Sequence, residues 1–167
     1  SGDTGESLQA SEIKGNGGLD WQACLEGSLK SPLKLAARSE KDPYQVDVSF
    51  PAGTVVRTIE LPSIDGMNHN WCYDPGISFK VEAVMPDGKT KTIVRMDLPE
   101  SNGQDYPTFS IACSEVKGAN KYRISLWNKH ETDLSWIRFF SAARENSWES
   151  AAGWTLRKIE RTAEHPV

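Results

Sequence analysis

The stretch Lys121-Tyr-Arg-Ile-Ser-Leu-Trp127 decides the fold, because its apolar and polar side chains alternate without a break. Successive side chains of a β-strand point to opposite faces of the sheet. One face of this strand carries Tyr122, Ile124 and Leu126, and the other carries Arg123, Ser125 and Trp127. The segment therefore predicts a strand with one face in a hydrophobic core.

Trp127 is the unusual member of this strand, because it falls on the polar face. An exposed indole beside a guanidinium and a hydroxyl has the composition of a sugar-binding platform. The alternative is that a second layer covers this face and that Trp127 belongs to the core. We predict that Arg123 and Trp127 contact a ligand, and the covered alternative stays open.

Other runs along the chain share this β character and are separated by turn sequences. They are residues 44–50, 54–61, 77–85, 92–98, 108–113 and 153–161. Pro86-Asp87-Gly88 predicts a hairpin turn, and we expect 108–113 to pair with 121–127 across the turn at 117–120. A helical turn is expected only between residues 141 and 150. Many short strands with little amphipathic helix predict an all-β, two-sheet sandwich of the jelly-roll type.

Length and composition are those of an ordinary globular protein. We interpret residues 1–20, which are polar and rich in glycine, as a flexible lead-in or artificial linker with one edge strand, and 21–167 as a single β-sandwich domain. A net charge of −4 without a basic stripe argues against nucleic acid as a partner. No run approaches the ~20 apolar residues of a membrane span. We expect that the native N-terminus, with any export signal, is missing.

The three cysteines, Cys24, Cys72 and Cys113, have no zinc-site spacing. In an exported protein one pair can form a disulfide and leave the third free, whereas in the cytosol all three would be small buried residues. The sequence also lacks the motifs of a nucleophilic elbow, a zinc protease or a phosphate-binding loop. Catalysis is therefore the weaker interpretation.

The connection between residues 62 and 75 has the composition of a binding loop. Its candidate ligand-binding residues are Asn68, His69, Asn70, Trp71, Tyr73 and Asp74. Short amide, imidazole and carboxylate groups give directional hydrogen bonds to sugar hydroxyls, and the aromatic rings can stack on a pyranose. The alternative is a packed loop whose polar side chains bond to its own backbone.

A second cluster follows from the outer faces of the predicted hairpin strands. Alternation places Lys80, Glu82, Arg95 and Asp97 on the face that also carries Arg123 and Trp127. The first interpretation is a set of ordinary surface ion pairs. The second is a groove for an acidic glycan, in which arginine binds a uronate or sulfate through its bidentate fork.

The order of these strands resembles that of galactose-binding-like jelly rolls, which serve as carbohydrate-binding modules in secreted glycan-degrading enzymes. Three strands carry the resemblance: Tyr44-Gln-Val-Asp-Val-Ser-Phe50, Thr54-Val-Val-Arg-Thr-Ile-Glu-Leu61 and Tyr122-Arg-Ile-Ser-Leu-Trp127. It covers residues 44–161 without a signature motif. The resemblance implies sugar binding in loops at one end of the sandwich and a structural calcium ion, but it transfers no individual ligand residue.

These observations predict a non-catalytic carbohydrate-binding module of a larger exported glycan-processing protein. Its partners would be a polysaccharide or oligosaccharide and a tethered catalytic domain, and its location would be extracellular, periplasmic or on the cell surface. No cofactor is expected beyond the structural calcium. One alternative is a structural or protein-interaction domain that buries the same aromatic residues against a catalytic neighbour. The last alternative is a small polysaccharide lyase or hydrolase.

Overall fold

The computed structural model of the chain describes residues 6–62, 75–99 and 109–143. These ranges form ten strands and one short helix. In chain order the strands are β1 (Glu12–Gly15), β2 (Leu33–Leu35), β3 (Tyr44–Ser49), β4 (Thr58–Leu61), β5 (Pro75–Val84), β6 (Thr90–Pro99), β7 (Phe109–Ala112), β8 (Lys121–Trp127), β9 (Thr132–Leu134) and β10 (Arg138–Phe140). The helix α1 spans Trp21–Glu26.

The larger sheet has five antiparallel strands in the order β1-β3-β8-β5-β6. Its central strand, β8, is the Lys121–Trp127 segment, and β1 is the edge strand expected in the first twenty residues. β5 and β6 form the predicted hairpin. Gly88 in its turn has a φ of 85°, a left-handed conformation that glycine adopts without strain.

A second sheet contains three antiparallel strands in the order β10-β4-β7, and β2 pairs with β9 in a separate two-stranded sheet. The expected pairing of residues 108–113 with 121–127 is therefore wrong. β7 pairs with β4, whereas β8 pairs with β3 and β5. The turn at 117–120 carries the chain from one sheet to the other, which is the connection that a sandwich requires and a hairpin does not.

Both main sheets contribute to one hydrophobic core. Phe50, which follows β3, lies edge-on to Tyr122 of β8 and to Phe139 of β10, with ring centroids 6.1 and 5.2 Å apart. All three side chains are buried. The predicted all-β, two-sheet sandwich is confirmed, and Tyr122, Ile124 and Leu126 occupy its interior as the alternation requires.

Helix α1 contradicts the prediction that the helical turn would lie only between residues 141 and 150. Asp20 caps its first turn by accepting a hydrogen bond from the Ala23 amide at 3.0 Å, and Gly27 ends it in the left-handed conformation. Its buried residues, Trp21 and Cys24, attach it to the core. The described ranges hold no helix with the length and hydropathy of a membrane span.

Several sequence predictions fall wholly or partly outside the described residues. Residues 141–143 are described and are not helical, but 144–150 and the expected final strand at 153–161 lie outside. The division of the chain at residue 20 into a lead-in and a single domain stays a prediction.

Candidate functional site

Several connections attach to the sandwich at the end where β8 finishes. The register pairs Trp127 with Ser78 near the start of β5, and Pro75 with Pro99 at the end of β6. Leu61 ends β4 opposite Phe109 at the start of β7. The segments 36–43, 62–74, 100–108 and 128–131 therefore all leave from strand ends on this side of the molecule. This is the loop end of the sandwich.

The turn formed by residues 36–43 reaches across the outer face of the larger sheet. The Arg38 amide donates to the Asn128 carbonyl at 2.8 Å, and Ser39 and Asp42 close the turn through a backbone bridge. Glu40 at its tip contacts Arg95 on β6, although β8 and β5 lie between β3 and β6 in the sheet. The turn thus crosses β8 and β5 on the outer face of the sheet.

Arg95 is the centre of a polar cluster on this face. Its Nε and Nη2 atoms donate to the two carboxylate oxygens of Glu40 at 3.1 and 2.8 Å. Asp97 lies 3.9 Å from Nη1 and accepts a hydrogen bond from the Ser78 hydroxyl at 2.6 Å. The hydrogen bond and charge of Arg95 lower the pKa of Glu40, and the nearby Lys80 charge lowers it further.

Trp127 is not the open platform that the strand alternation suggested. Its side chain lies on the outer face, but the residue is only 9% exposed, and the Arg95 guanidinium lies over the indole ring at 5.3 Å from its centroid. The cover comes from Arg95 of the same sheet and not from a second layer, and Trp127 lies outside the main hydrophobic cluster, so its contact with a ligand stays a prediction. The alternation correctly predicts the sheet face on which Trp127 lies. The exposure of Trp127 is determined by contacts with residues far away in the sequence.

Arg123 is paired across the sheet with a carboxylate of the neighbouring strand. Its Nε and Nη2 atoms donate to Asp47 on β3 at 2.8 and 3.2 Å, and Lys121 lies 3.8 Å from the same carboxylate. The hydrogen bond with Asp47 raises the pKa of Arg123. The guanidinium fork is occupied from within the sheet.

The predicted charged cluster is present on one face. Lys80 lies opposite Arg95 in the β5–β6 register, and Glu82 lies opposite Arg123 in the β5–β8 register. Lys80 and Glu82 also approach each other within 3.7 Å. Lys80 and Arg95 are like charges, and each has a carboxylate partner: Glu82 for Lys80, and Glu40 and Asp97 for Arg95. These are the surface ion pairs of the first interpretation.

The predicted binding-loop residues all lie outside the described ranges: they are Asn68, His69, Asn70, Trp71, Tyr73 and Asp74. The residue that sequence reasoning missed is Glu40, which joins Arg95 over a separation of 55 positions. No local pattern connects two such distant residues.

Nucleophilic and metal chemistry find no support in the described ranges. Cys24 and Cys113 are free thiols, and burial raises the pKa of each to about 12. Thiols of this kind are almost fully protonated at neutral pH and are poor nucleophiles. No group of three or more His, Cys, Asp or Glu residues within these ranges has the arrangement of a metal site.

Comparison with known proteins places the fold. No protein-family model and no curated protein sequence matches this chain. Among solved structures, the chain is similar to the CBM32 module of AlyQ in complex with 4,5-unsaturated mannuronic acid. The TM-score is 0.56 at 9% identity, over 82% of this chain and 99% of that one. A truncated AlyQ with CBM32 and alginate lyase domains gives the same TM-score and identity, over 84% of this chain and 34% of that one.

A pectin-binding carbohydrate-binding module is similar to the same extent. Its TM-score is 0.55 at 10% identity, over 80% of this chain and 91% of that module. At such low identity these likenesses concern the fold and not the binding residues. The chain has the galactose-binding-like jelly-roll fold that these carbohydrate-binding modules share.

Proposed function

We propose that this protein is a non-catalytic carbohydrate-binding module. The observation that carries the proposal is its jelly-roll fold, which matches nearly the whole length of a CBM32 module in complex with 4,5-unsaturated mannuronic acid and of a pectin-binding module. The composition of the 62–75 connection and its attachment at the loop end of the sandwich supply the second argument.

The proposed site is the loop end, with the 62–75 connection as its main contributor. Trp71 and Tyr73 would stack on the apolar face of a pyranose. Its hydroxyls would bind to the polar side chains of the same connection, which are Asn68, His69, Asn70 and Asp74. Strands β4 and β5 hold the two ends of this connection. Trp127 and Arg123 belong to the adjoining sheet face, where Trp127 supports Arg95 and Arg123 is held by Asp47.

The wider context is part of the same proposal. The module would belong to a larger exported glycan-processing protein and act beside a catalytic domain, as the CBM32 module occurs beside an alginate lyase domain in AlyQ. A structural calcium ion, which the family resemblance implies, would raise the melting temperature of the protein when added after chelation.

A glycan-array screen of this chain, followed by affinity electrophoresis in polysaccharide gels, tests the proposal. Trp71→Ala and Tyr73→Ala should each weaken binding about fivefold or more while the melting temperature stays nearly constant. Met85→Ala is the control, because Met85 is partly exposed and lies in the β5–β6 turn, at the end of β5 opposite to the 62–75 connection. Its binding should be unchanged.

Three outcomes would contradict the proposal in different ways. Retention of no glycan by the folded protein favours the protein-interaction alternative. Turnover of any glycan shows that the domain is an enzyme. If Trp71→Ala lowers the free energy of unfolding by ~3 to 5 kcal/mol, the indole is a packed core residue and not a ligand contact.

A further inference from the structure

We propose that Arg95 is a carboxylate-binding site for an acidic sugar, and that Glu40 is an internal carboxylate that competes for it. The inference rests on the proposed function. It adds the class of sugar, and it adds that Glu40 and the ligand carboxylate compete for the same guanidinium. The two oxygens of Glu40 accept from Nε and Nη2 of Arg95 in the parallel, bidentate arrangement that a guanidinium forms with any carboxylate. A uronate offers the same two oxygens.

The position of Arg95 does not depend on Glu40 alone. The guanidinium lies over Trp127, and Asp97 approaches its Nη1 atom from the same strand. Asp97 is itself fixed by the Ser78 hydroxyl at 2.6 Å. The cation–π contact with Trp127 and the oriented Asp97 carboxylate keep the Arg95 guanidinium in place when a ligand replaces Glu40. A ligand carboxylate would therefore meet a guanidinium that is already oriented.

Glu40 differs from Asp47, the carboxylate that binds Arg123. Asp47 belongs to β3, in register with Arg123, and its side chain is 24% exposed. Glu40 belongs to the 36–43 turn, outside the sheet, and its side chain is 48% exposed. An exposed ion pair contributes little to stability, so exchange of Glu40 for a ligand costs little. A ligand can therefore replace Glu40 at Arg95, whereas Asp47 and Arg123 are fixed to each other by adjacent strands of the sheet.

The surroundings of Arg95 favour a sugar acid over a simple anion. Lys80, directly opposite Arg95 in the β5–β6 register, adds a second cation near the carboxylate position, and its charge acts on Glu40. Asp97 supplies an acceptor for a sugar hydroxyl. A uronate carries one carboxylate and several hydroxyl donors on a rigid ring, so that it can use the guanidinium and the acceptor together.

Isothermal titration with hexamers of mannuronate and galacturonate, and with a neutral mannose hexamer, tests this inference. Glu40→Gln should bind the uronate hexamers about twofold to fivefold more tightly than the unsubstituted protein, because it removes the competitor. Arg95→Met should weaken uronate binding about tenfold or more, and Arg95→Lys should also weaken it, since lysine has no fork. Binding of the neutral hexamer should not respond to Glu40→Gln.

Glu115→Gln is the matched control. Arg57 and Glu115 form an exposed pair at 3.5 Å, with side-chain exposures of 44% and 42%, close to the 43% and 48% of Arg95 and Glu40. The change in net charge is the same, and Glu115 follows β7 of the other sheet. Affinity for uronates should not change in Glu115→Gln. An equal gain in both variants would show a non-specific charge effect and overturn the inference.

The failure of this inference and the failure of the proposed function give different results. If the protein binds glycans but Glu40→Gln and Arg95→Met leave uronate affinity unchanged, the inference is wrong and the proposed function stands. If neither the folded protein nor Glu40→Gln binds any glycan, the proposed function fails and the inference with it. If Glu40→Gln binds a sulfated hexamer more tightly than the unsubstituted protein does, but binds neither uronate hexamer more tightly, the site recognises sulfate and not a carboxylate. That result would also overturn the inference.

Discussion

The two faces of the five-stranded sheet share the same strands but are stabilised in different ways. On the inner face, side chains such as Val81, Ile124 and Leu126 are almost fully buried. On the outer face, Arg95 and Arg123 hold carboxylates that retain contact with solvent. Burial of apolar surface contributes most of the folding free energy, whereas exposed ion pairs contribute little. The inner face therefore sets stability, and the outer face can change its partners.

The largest expected effect is on the inner side. Phe50→Ala should lower the free energy of unfolding by ~3 to 5 kcal/mol, because it empties a site between Tyr122 and Phe139. Ser49→Ala, at the preceding and half-buried position, should change it by less than ~0.5 kcal/mol. Urea unfolding followed by tryptophan fluorescence measures both. Equal effects would show that the Phe50 site collapses on truncation.

The second prediction concerns a titratable group on the inner side. Burial, followed by the charge of Asp20, raises the pKa of Cys24 to about 12, above the usual value of 9.0 for a thiol. The unfolded thiol loses its proton first, so its contribution to stability is complete below pH ~9 and is lost as the pH rises toward 12. By pH ~10.5 this loss should reach about 2 kcal/mol.

Cys24→Ala isolates this contribution. The free energy of unfolding of the unsubstituted protein should fall more steeply between pH 8 and pH 10.5 than that of the variant, in urea unfolding at matched pH. If the free energies of unfolding of the two proteins fall with pH at the same rate, the Cys24 thiol has the same pKa in the folded and the unfolded protein, and the prediction is wrong. The comparison is between slopes, so any constant packing loss in the variant cancels.

The same contrast explains how much the sequence could predict. Alternation is a local property, and it correctly assigned Tyr122, Ile124 and Leu126 to the core and the hairpin turn to residues 86–88. Strand pairing between β7 and β4 depends on contacts between segments about 50 residues apart, and proximity in sequence wrongly favoured β8 as the partner. Helix α1 had a local signal, Asp20 before it and Gly27 after it, but only six residues.

The candidate site was less predictable than the fold, because exposure on the outer face depends on partners from distant segments. Arg95 and Trp127 were both placed on the correct face from their own strands. The cover over Trp127 requires Arg95 to lie above it, and the fork of Arg95 is occupied by Glu40 from the 36–43 turn. Neither relation follows from periodicity, since each joins residues more than 30 positions apart.

A smaller effect is expected from the partly buried outer pair. Asp47→Asn should lower the free energy of unfolding by about 1 kcal/mol, because it removes the partner of both Arg123 and Lys121. The difference should shrink in 1 M salt, where the Debye length falls to ~3 Å. Thermal unfolding at low and high salt measures it. A loss that is independent of salt would assign the role of Asp47 to hydrogen bonding rather than charge.

The smallest effect is expected at the edge of the same face. Glu12 and Lys14 form an ion pair at 2.9 Å on β1, and the hydrogen bond and charge of Lys14 lower the pKa of Glu12. A carboxyl group with a lowered pKa stabilises the fold above its usual pKa of 4.5, and this stability is lost as the pH falls. Because the Glu12–Lys14 pair is exposed to solvent, its contribution is almost zero. Glu12→Gln should therefore unfold at the same temperature as the unsubstituted protein at pH 7.

Glu12→Gln is informative because Lys14 lies directly opposite Asp47 in the β1–β3 register. The two substitutions remove the same charge from neighbouring positions of one face and differ mainly in how far solvent reaches each pair. If Glu12→Gln destabilises as much as Asp47→Asn, the charge balance of the whole face governs its stability and partial burial does not. If only Asp47→Asn destabilises, ion pairs on this face contribute in proportion to their burial, and the exposed Glu40 is the carboxylate that a ligand can most easily replace.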